Sequence, residues 1–159
     1  LDAQKIRLRR FALFFILAFL DDRLAAEISE KATLLFKSKY PKFQSESEIE
    51  TPEVRRDMIA ICFSQWQTYK KRLTKGMTRE KTEFNISAYG KMPAHLELGP
   101  WLRFHKEAAE EEVLAVLFTQ ILEFSETETA EALKVSLGTL RHRVGKGIRV
   151  LGEYVGPTL

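Results

Sequence analysis

Apolar positions recur at spacings of three and four along most of this chain, so the pattern predicts helices and little else. A first helix is predicted over residues 3–20. Its far end, Phe11 to Leu20, is apolar on every side, which calls for enclosure by other helices instead of a place on a surface. Asp21 or Asp22 is placed to cap a second helix running to about Lys39, with Leu24, Ile28, Leu34 and Leu35 as its apolar side; Tyr40-Pro41 ends it. Lys42 to Thr51, rich in serine and glutamate, reads as a loop. Pro52 suits the first position of a third helix, capped by Thr51, with Val54, Met58, Ile61, Cys62, Gln65 and Tyr69 along one side. Three helices suffice for a small bundle, and its core is predicted to gather Phe11, Phe14, Phe15, Leu17, Ile28, Leu35, Met58 and Ile61.

From Gly76 to about Pro100 no period is sustained, and scattered Gly, Pro, Asn and Ser read as a linker. Its Phe84, Tyr89, Leu96 and Leu98 imply that it packs somewhere. Trp101, Leu102 and Phe104 open or precede a second bundle, followed by a predicted helix from Glu107 to Phe124 with Val113, Leu114, Leu117, Ile121 and Leu122 as its stripe. Glu107, Glu110, Glu111 and Glu112 crowd its start, where the helix dipole favours them, and form a face suited to a protein partner. The expected architecture is all-α: a helical domain over 1–75, a linker over 76–104, and a second helical domain over 105–159.

The most informative stretch is Ser125 to Leu151. Ser125 and Glu128 have the capping-box spacing, so a short helix is predicted to begin at about Glu126 and to carry Ala130 and Leu133 inward. It is interrupted at Lys134-Val135. Ser136 is a second cap, for a helix that holds Leu140, Val144 and Leu151. Two short helices joined by a tight turn make a helix-turn-helix. Arg141, His142, Arg143, Lys146 and Arg149 lie in the second helix, and no carboxylate falls between Glu131 and Glu153, which gives that helix the charge of a nucleic-acid reader. An ordinary bundle helix with basic residues at one end is the rival reading. Gly145 and Gly147, poor helix formers, are expected to loosen that helix or end it early.

This stretch resembles the C-terminal region of bacterial RNA polymerase sigma factors, in particular their extracytoplasmic-function group. Ser125, Glu128, Ala130, Leu133, Val135, Ser136, Gly138, Thr139 and Arg143 sit on matching positions of that family's pattern. Lys134 stands where the family usually has glycine, which accepts a left-handed backbone at little cost. The resemblance extends to 22–36, which looks like the family's polymerase-clamp-binding helix through Ala25, Glu27 and Ile28. It also reaches the third helix, through Ile59 and Ala60, where the family keeps its promoter-melting surface; Ile61 and Cys62 replace a polar pair there.

The resemblance implies promoter DNA and core RNA polymerase as partners, with an anti-sigma factor as a further one. Glu27, Glu30 and Lys31 are the candidate polymerase contacts. Trp66, Tyr69, Lys70 and Lys71 are candidates for promoter melting, the aromatics by stacking on unpaired bases; core packing is the equal alternative for the two rings. Ser136, Leu137, Thr139, Arg141, His142, Arg143, Lys146 and Arg149 are the candidate DNA contacts, with Leu137, Arg141 and His142 at base edges and Lys146 and Arg149 on phosphates. The basic run Lys70, Lys71, Arg72, Lys75, Arg79 and Lys81 suits a phosphate backbone or a solvated linker. Two rival functions remain: a sigma-like interaction protein that binds an anti-sigma factor without DNA, and a plain helix-turn-helix regulator.

Composition changes this picture little. Net charge is only +3, so its segregation along the chain, not its sum, carries the nucleic-acid argument. Cys62 is the single cysteine, which fits a reducing cytoplasm; no internal disulfide can form, and no Cys/His cluster has metal-ligand spacing. Lys5, Arg7, Arg9 and Arg10 before the apolar run imitate a secretory signal, but ten apolar residues are too few to span a bilayer, and Asp21-Asp22 makes a poor cleavage site. A buried core helix without membrane contact is expected. No phosphate-binding Gly loop, nucleophile elbow or zinc-protease motif occurs, so neither an enzyme nor a cofactor is read from the sequence.

Overall fold

The computed structural model describes residues 5–44, 48–76 and 98–155. All regular structure there is helical: α1 (Arg9–Phe19), α2 (Asp22–Lys39), α3 (Pro52–Gly76), α4 (Leu98–Glu107), α5 (Glu110–Val116) running into a π-helical turn (Leu117–Ile121), α6 (Glu126–Leu133) and α7 (Leu137–Val155). The one other pairing among these residues is an isolated antiparallel bridge between Lys5 and Ile49, beside an Ile6 N–H that donates to the Glu48 carbonyl at 2.8 Å. The chain divides into two compact units, one holding α1–α3 and the other α4–α7.

In the first unit local signals set the helix boundaries. α1 ends at Leu20, which turns left-handed (φ 57°) while its N–H still reaches the Ile16 carbonyl. Asp21 is extended and its carboxylate accepts the Leu24 N–H at 2.9 Å, so only Asp21 separates the cap of α1 at Leu20 from the start of α2 at Asp22. The Thr51 hydroxyl accepts the Val54 N–H at 3.2 Å and starts α3 at Pro52, as expected. At the far end of α2 the Tyr40 hydroxyl donates to Asp57 and Lys39 Nζ lies 3.2 Å from the same carboxylate, which ties that end to α3. Burial, then the neighbouring Asp57, push the Tyr40 hydroxyl far above its ordinary pKa.

α1 packs on both α2 and α3, and Phe11, Phe14, Phe15 and Leu17 are fully buried with Ile28 and Met58. No described helix is long and apolar enough to cross a membrane. Two core expectations are corrected. Leu34 and Leu35 are 63% and 42% exposed, because α2 turns Ala25, Ile28, Ala32 and Phe36 to the core, a cleaner helical stripe than the leucines make. On α3 it is Ile59 that is fully buried, while Ile61 is half-buried.

In the second unit α4, α5 and α6 all pack on α7. Trp101 and Phe104 of α4 are fully buried, their rings 5.2 Å apart, so residues 98–104 belong to this bundle and not to the connector expected to run to 104. The rest of that connector, 77–97, lies outside the described residues. The helix expected from Glu107 to Phe124 is broken, since Glu107 closes α4 and extended Ala109 opens α5, its N–H held by Glu112 Oε1 at 3.3 Å. Past Val116 the backbone widens into the π turn, where the Leu122 N–H reaches the Leu117 carbonyl at 3.0 Å, and left-handed Glu123 follows it. Every residue from Glu112 to Thr119 is buried, so this element is enclosed all round.

Gly147 does not end α7, contrary to expectation. A Cβ there would stand 2.5 Å from Val116 Cγ2 and 3.2 Å from the Glu112 carbonyl oxygen, so the bare backbone lets α7 lie against α5. Gly147→Ala must push the helices apart, and we expect it to destabilise the second unit by about 1–3 kcal/mol. Gly145→Ala, with nothing within 4 Å of its Cβ, is expected to be neutral or stabilising, and guanidinium unfolding of the two variants beside the wild type checks both expectations.

Candidate nucleic-acid interface

α6, the turn and α7 are built from short-range signals. The Ser125 hydroxyl accepts the Glu128 N–H at 3.0 Å, and Ser136 does the same for Thr139 at 3.0 Å while its hydroxyl donates to Thr139 Oγ1 at 2.9 Å. Lys134, between them, is left-handed at φ 61°. It adopts the backbone that a glycine would take there, at a cost of about 1–2 kcal/mol for a residue with a Cβ. The Val135 N–H closes the turn on the Ala130 carbonyl. Ala115, Ala130, Leu140 and Val144 form the buried centre, with Leu133, Val135 and Leu137 packed against it. The small Ala130 lets the two helices cross closely.

Burial of Leu140, Val144 and Gly147 faces one side of α7 inward and leaves Gly138, Thr139, Arg141, His142, Gly145, Lys146 and Arg149 exposed. Six of the eight candidate DNA residues therefore share one exposed stretch: Ser136, Thr139, Arg141, His142, Lys146 and Arg149. Leu137 is half-buried, with part of its apolar surface packed against the core of the α6–α7 pair. Arg143 is half-buried.

Two of the cations are held by carboxylates that local sequence patterns do not reveal. Arg141 Nε donates to Glu126 Oε1 at 3.0 Å, and Lys146 Nζ lies 3.4 Å from Glu112 Oε2. Glu112 is thus a buried brace that caps α5 and anchors Lys146, not part of an open acidic face.

In the first unit, Glu27, Glu30 and Lys31 lie exposed on α2, with Leu34 next along the same side at helical spacing. The Lys31 ammonium also sits 5.6 Å over the Tyr69 ring, and the Arg72 guanidinium 4.8 Å from it. Tyr69 is 4% exposed, so it is a core residue here and its ring is not open to a base. Trp66 is half-buried, stacked on Phe63 at 5.9 Å, with Lys70 Nζ 4.9 Å from its ring; Lys71 is exposed. Arg79 and Lys81 of the basic run lie outside the described residues. Cys62 is fully enclosed and burial pushes its thiol far up, so it stays protonated and packs as a small apolar residue. Among the described residues no group of His, Cys, Asp and Glu is arranged to hold a metal.

Neither a scan of protein-family models nor a search of curated proteins gives a match. Among solved structures, the chain is similar to the sigma factor RpoE in its co-crystal with the anti-sigma factor NepR from Bartonella quintana, over 93% of this chain and 91% of that one, with a TM-score of 0.65 and 17% identity. The fold is that of a sigma factor. At that identity the likeness is one of architecture. Within the sigma-factor fold, α1–α3 and α4–α7 supply the two helical units, and the second contains the α6–α7 pair described above.

Proposed function

We propose that the chain is a cytoplasmic sigma-type transcription initiation factor: the first unit docks on core RNA polymerase through the exposed side of α2, and the second reads promoter DNA with α7. The observation that carries this reading is the α6–α7 pair, a capped helix-turn-helix within a sigma fold, with Arg141, His142, Lys146 and Arg149 exposed and no acidic residue from Lys134 to Gly152. A recognition helix places its first turns at base edges and its later cations on phosphates. Thr139, Arg141 and His142 fall in the first role and Arg149 in the second. Lys146, held by Glu112, is the weaker phosphate contact. On α2, Glu27, Glu30 and Lys31 provide polar contacts, and exposed Leu34 adds the apolar surface that a docking face needs.

A filter-binding series on duplex DNA at several salt concentrations tests the DNA role. Each phosphate contact contributes about one unit to the salt slope, so Arg149→Gln should lower the slope by about one, and Lys146→Gln by less. Wild-type protein whose affinity for duplex does not change with salt would contradict the DNA reading. The second reading, a sigma-like protein that binds an anti-sigma factor without DNA, draws on the complex in which the similar RpoE structure was solved. That outcome of the series would favour it.

A further inference from the structure

The Arg141–Glu126 pair asks what an exposed carboxylate is doing beside a DNA-facing cation. Arg141 and Glu126 retain 62% and 37% exposure, and surface pairs of this kind add little stability. Charge alone makes the placement unfavourable, because a carboxylate beside the reading face offsets one cation and repels phosphate. The geometry gives it another use. A guanidinium has five N–H donors in one plane. Glu126 Oε1 takes the one on Nε at 3.0 Å, which fixes that plane and leaves Nη1 and Nη2 as an end-on fork, the shape that bonds guanine O6 and N7 together. Glu126 is itself well fixed: it is the first residue of α6, directly after the Ser125 cap, and α6 is locked on α7 through buried Ala130.

We propose that Glu126 is a positioning residue for sequence readout, holding Arg141 by Nε so that its two terminal nitrogens present a pre-aimed fork to one guanine. The proposal rests on the DNA role of α7. It differs from it in sign, since it requires a residue of the wrong charge to improve recognition.

The test uses the full chain and a pool of DNA duplexes randomised over one helical turn, from which the wild type selects a preferred duplex. Affinities for that duplex and for a scrambled one are then measured for Glu126→Ala, Glu126→Gln, Arg141→Ala and the Glu126→Ala/Arg141→Ala double variant, with a thermal melt of each as a check on folding. Glu126→Ala is expected to reduce the selected-to-scrambled ratio roughly three- to tenfold, at the same base pair as Arg141→Ala, while affinity for the scrambled duplex holds or rises. Glu126→Gln keeps an acceptor oxygen and should retain more of the ratio. In the Arg141→Ala background, removing Glu126 should change the ratio no further. The proposal is overturned if Glu126→Ala strengthens both duplexes alike, or lowers the ratio equally with and without Arg141. A wild type that selects no duplex and binds without salt dependence overturns the DNA role itself, which is a distinguishable failure.

Discussion

Glu50→Ala is expected to destabilise the first unit by about 3–5 kcal/mol, as loss of one partner from a buried ion pair does. The Glu50 side chain is wholly buried just before α3, where Arg10 Nη1 lies 3.1 and 3.0 Å from its two oxygens and Arg55 Nη1 lies 3.6 Å from Oε1. Arg10 stands at the start of α1 with its side chain 10% exposed, so removing the carboxylate leaves a guanidinium in a dry site without that counter-charge. The sign is specific to the single change. Replacing the pair together, Arg10→Met with Glu50→Leu, should cost less than Glu50→Ala alone, because the guanidinium in the dry site then leaves with its partner and the Arg55 that remains reaches water. The two tryptophans, Trp66 and Trp101, fall one in each unit, so a Trp101→Phe background lets fluorescence follow the first unit alone through guanidinium unfolding. An unchanged midpoint for Glu50→Ala would mean that Arg10, Glu50 and Arg55 do not hold this unit together.

Phe15→Ala should cost about as much, 3–5 kcal/mol, for a different reason: the ring leaves a cavity that its neighbours cannot fill. Phe15 is fully buried, with the Phe14 ring nearly perpendicular at 4.9 Å and the Phe19 ring parallel at 6.4 Å. Together with Phe11 and Phe36, 6.2 Å apart edge to face, these rings make the first unit an aromatic core around α1. The same Trp66 signal reads the loss. A Phe15→Ala midpoint equal to that of the wild type would put α1 on a surface and reopen the possibility that its apolar face meets a membrane or a partner.

What could be read from the sequence follows the range of the physics involved. Capping is decided within four residues, and Asp21, Thr51, Ser125 and Ser136 all make the hydrogen bonds their positions announce. The start of α6 and the start of α7 were legible for that reason, whereas the left-handed backbone at Lys134 was not announced by its side chain, since a glycine is the usual residue for it. Periodicity was a poorer guide where size and pattern disagree. On α2 the large Leu34 and Leu35 outweighed Ala25 and Ala32, yet the alanines are buried beside Ile28 and Phe36. The break at Ala108-Ala109 carries no glycine or proline, so nothing local marks it. Gly147 looked like a helix breaker because its partner, Val116, is brought there only by the tertiary fold. The carboxylates that hold Arg141 and Arg10 lie 15 and 40 residues away, beyond the reach of any helical spacing.

The central claim is that this sigma fold serves transcription initiation, and the most direct measurement is size-exclusion chromatography of the full chain with bacterial core RNA polymerase at micromolar concentrations. The account predicts that the chain moves to the polymerase peak in a one-to-one complex, and that Glu27→Lys or Leu34→Ala, both on the exposed side of α2, shifts it back toward its free position. Separate elution of the wild-type chain and core polymerase would contradict the account.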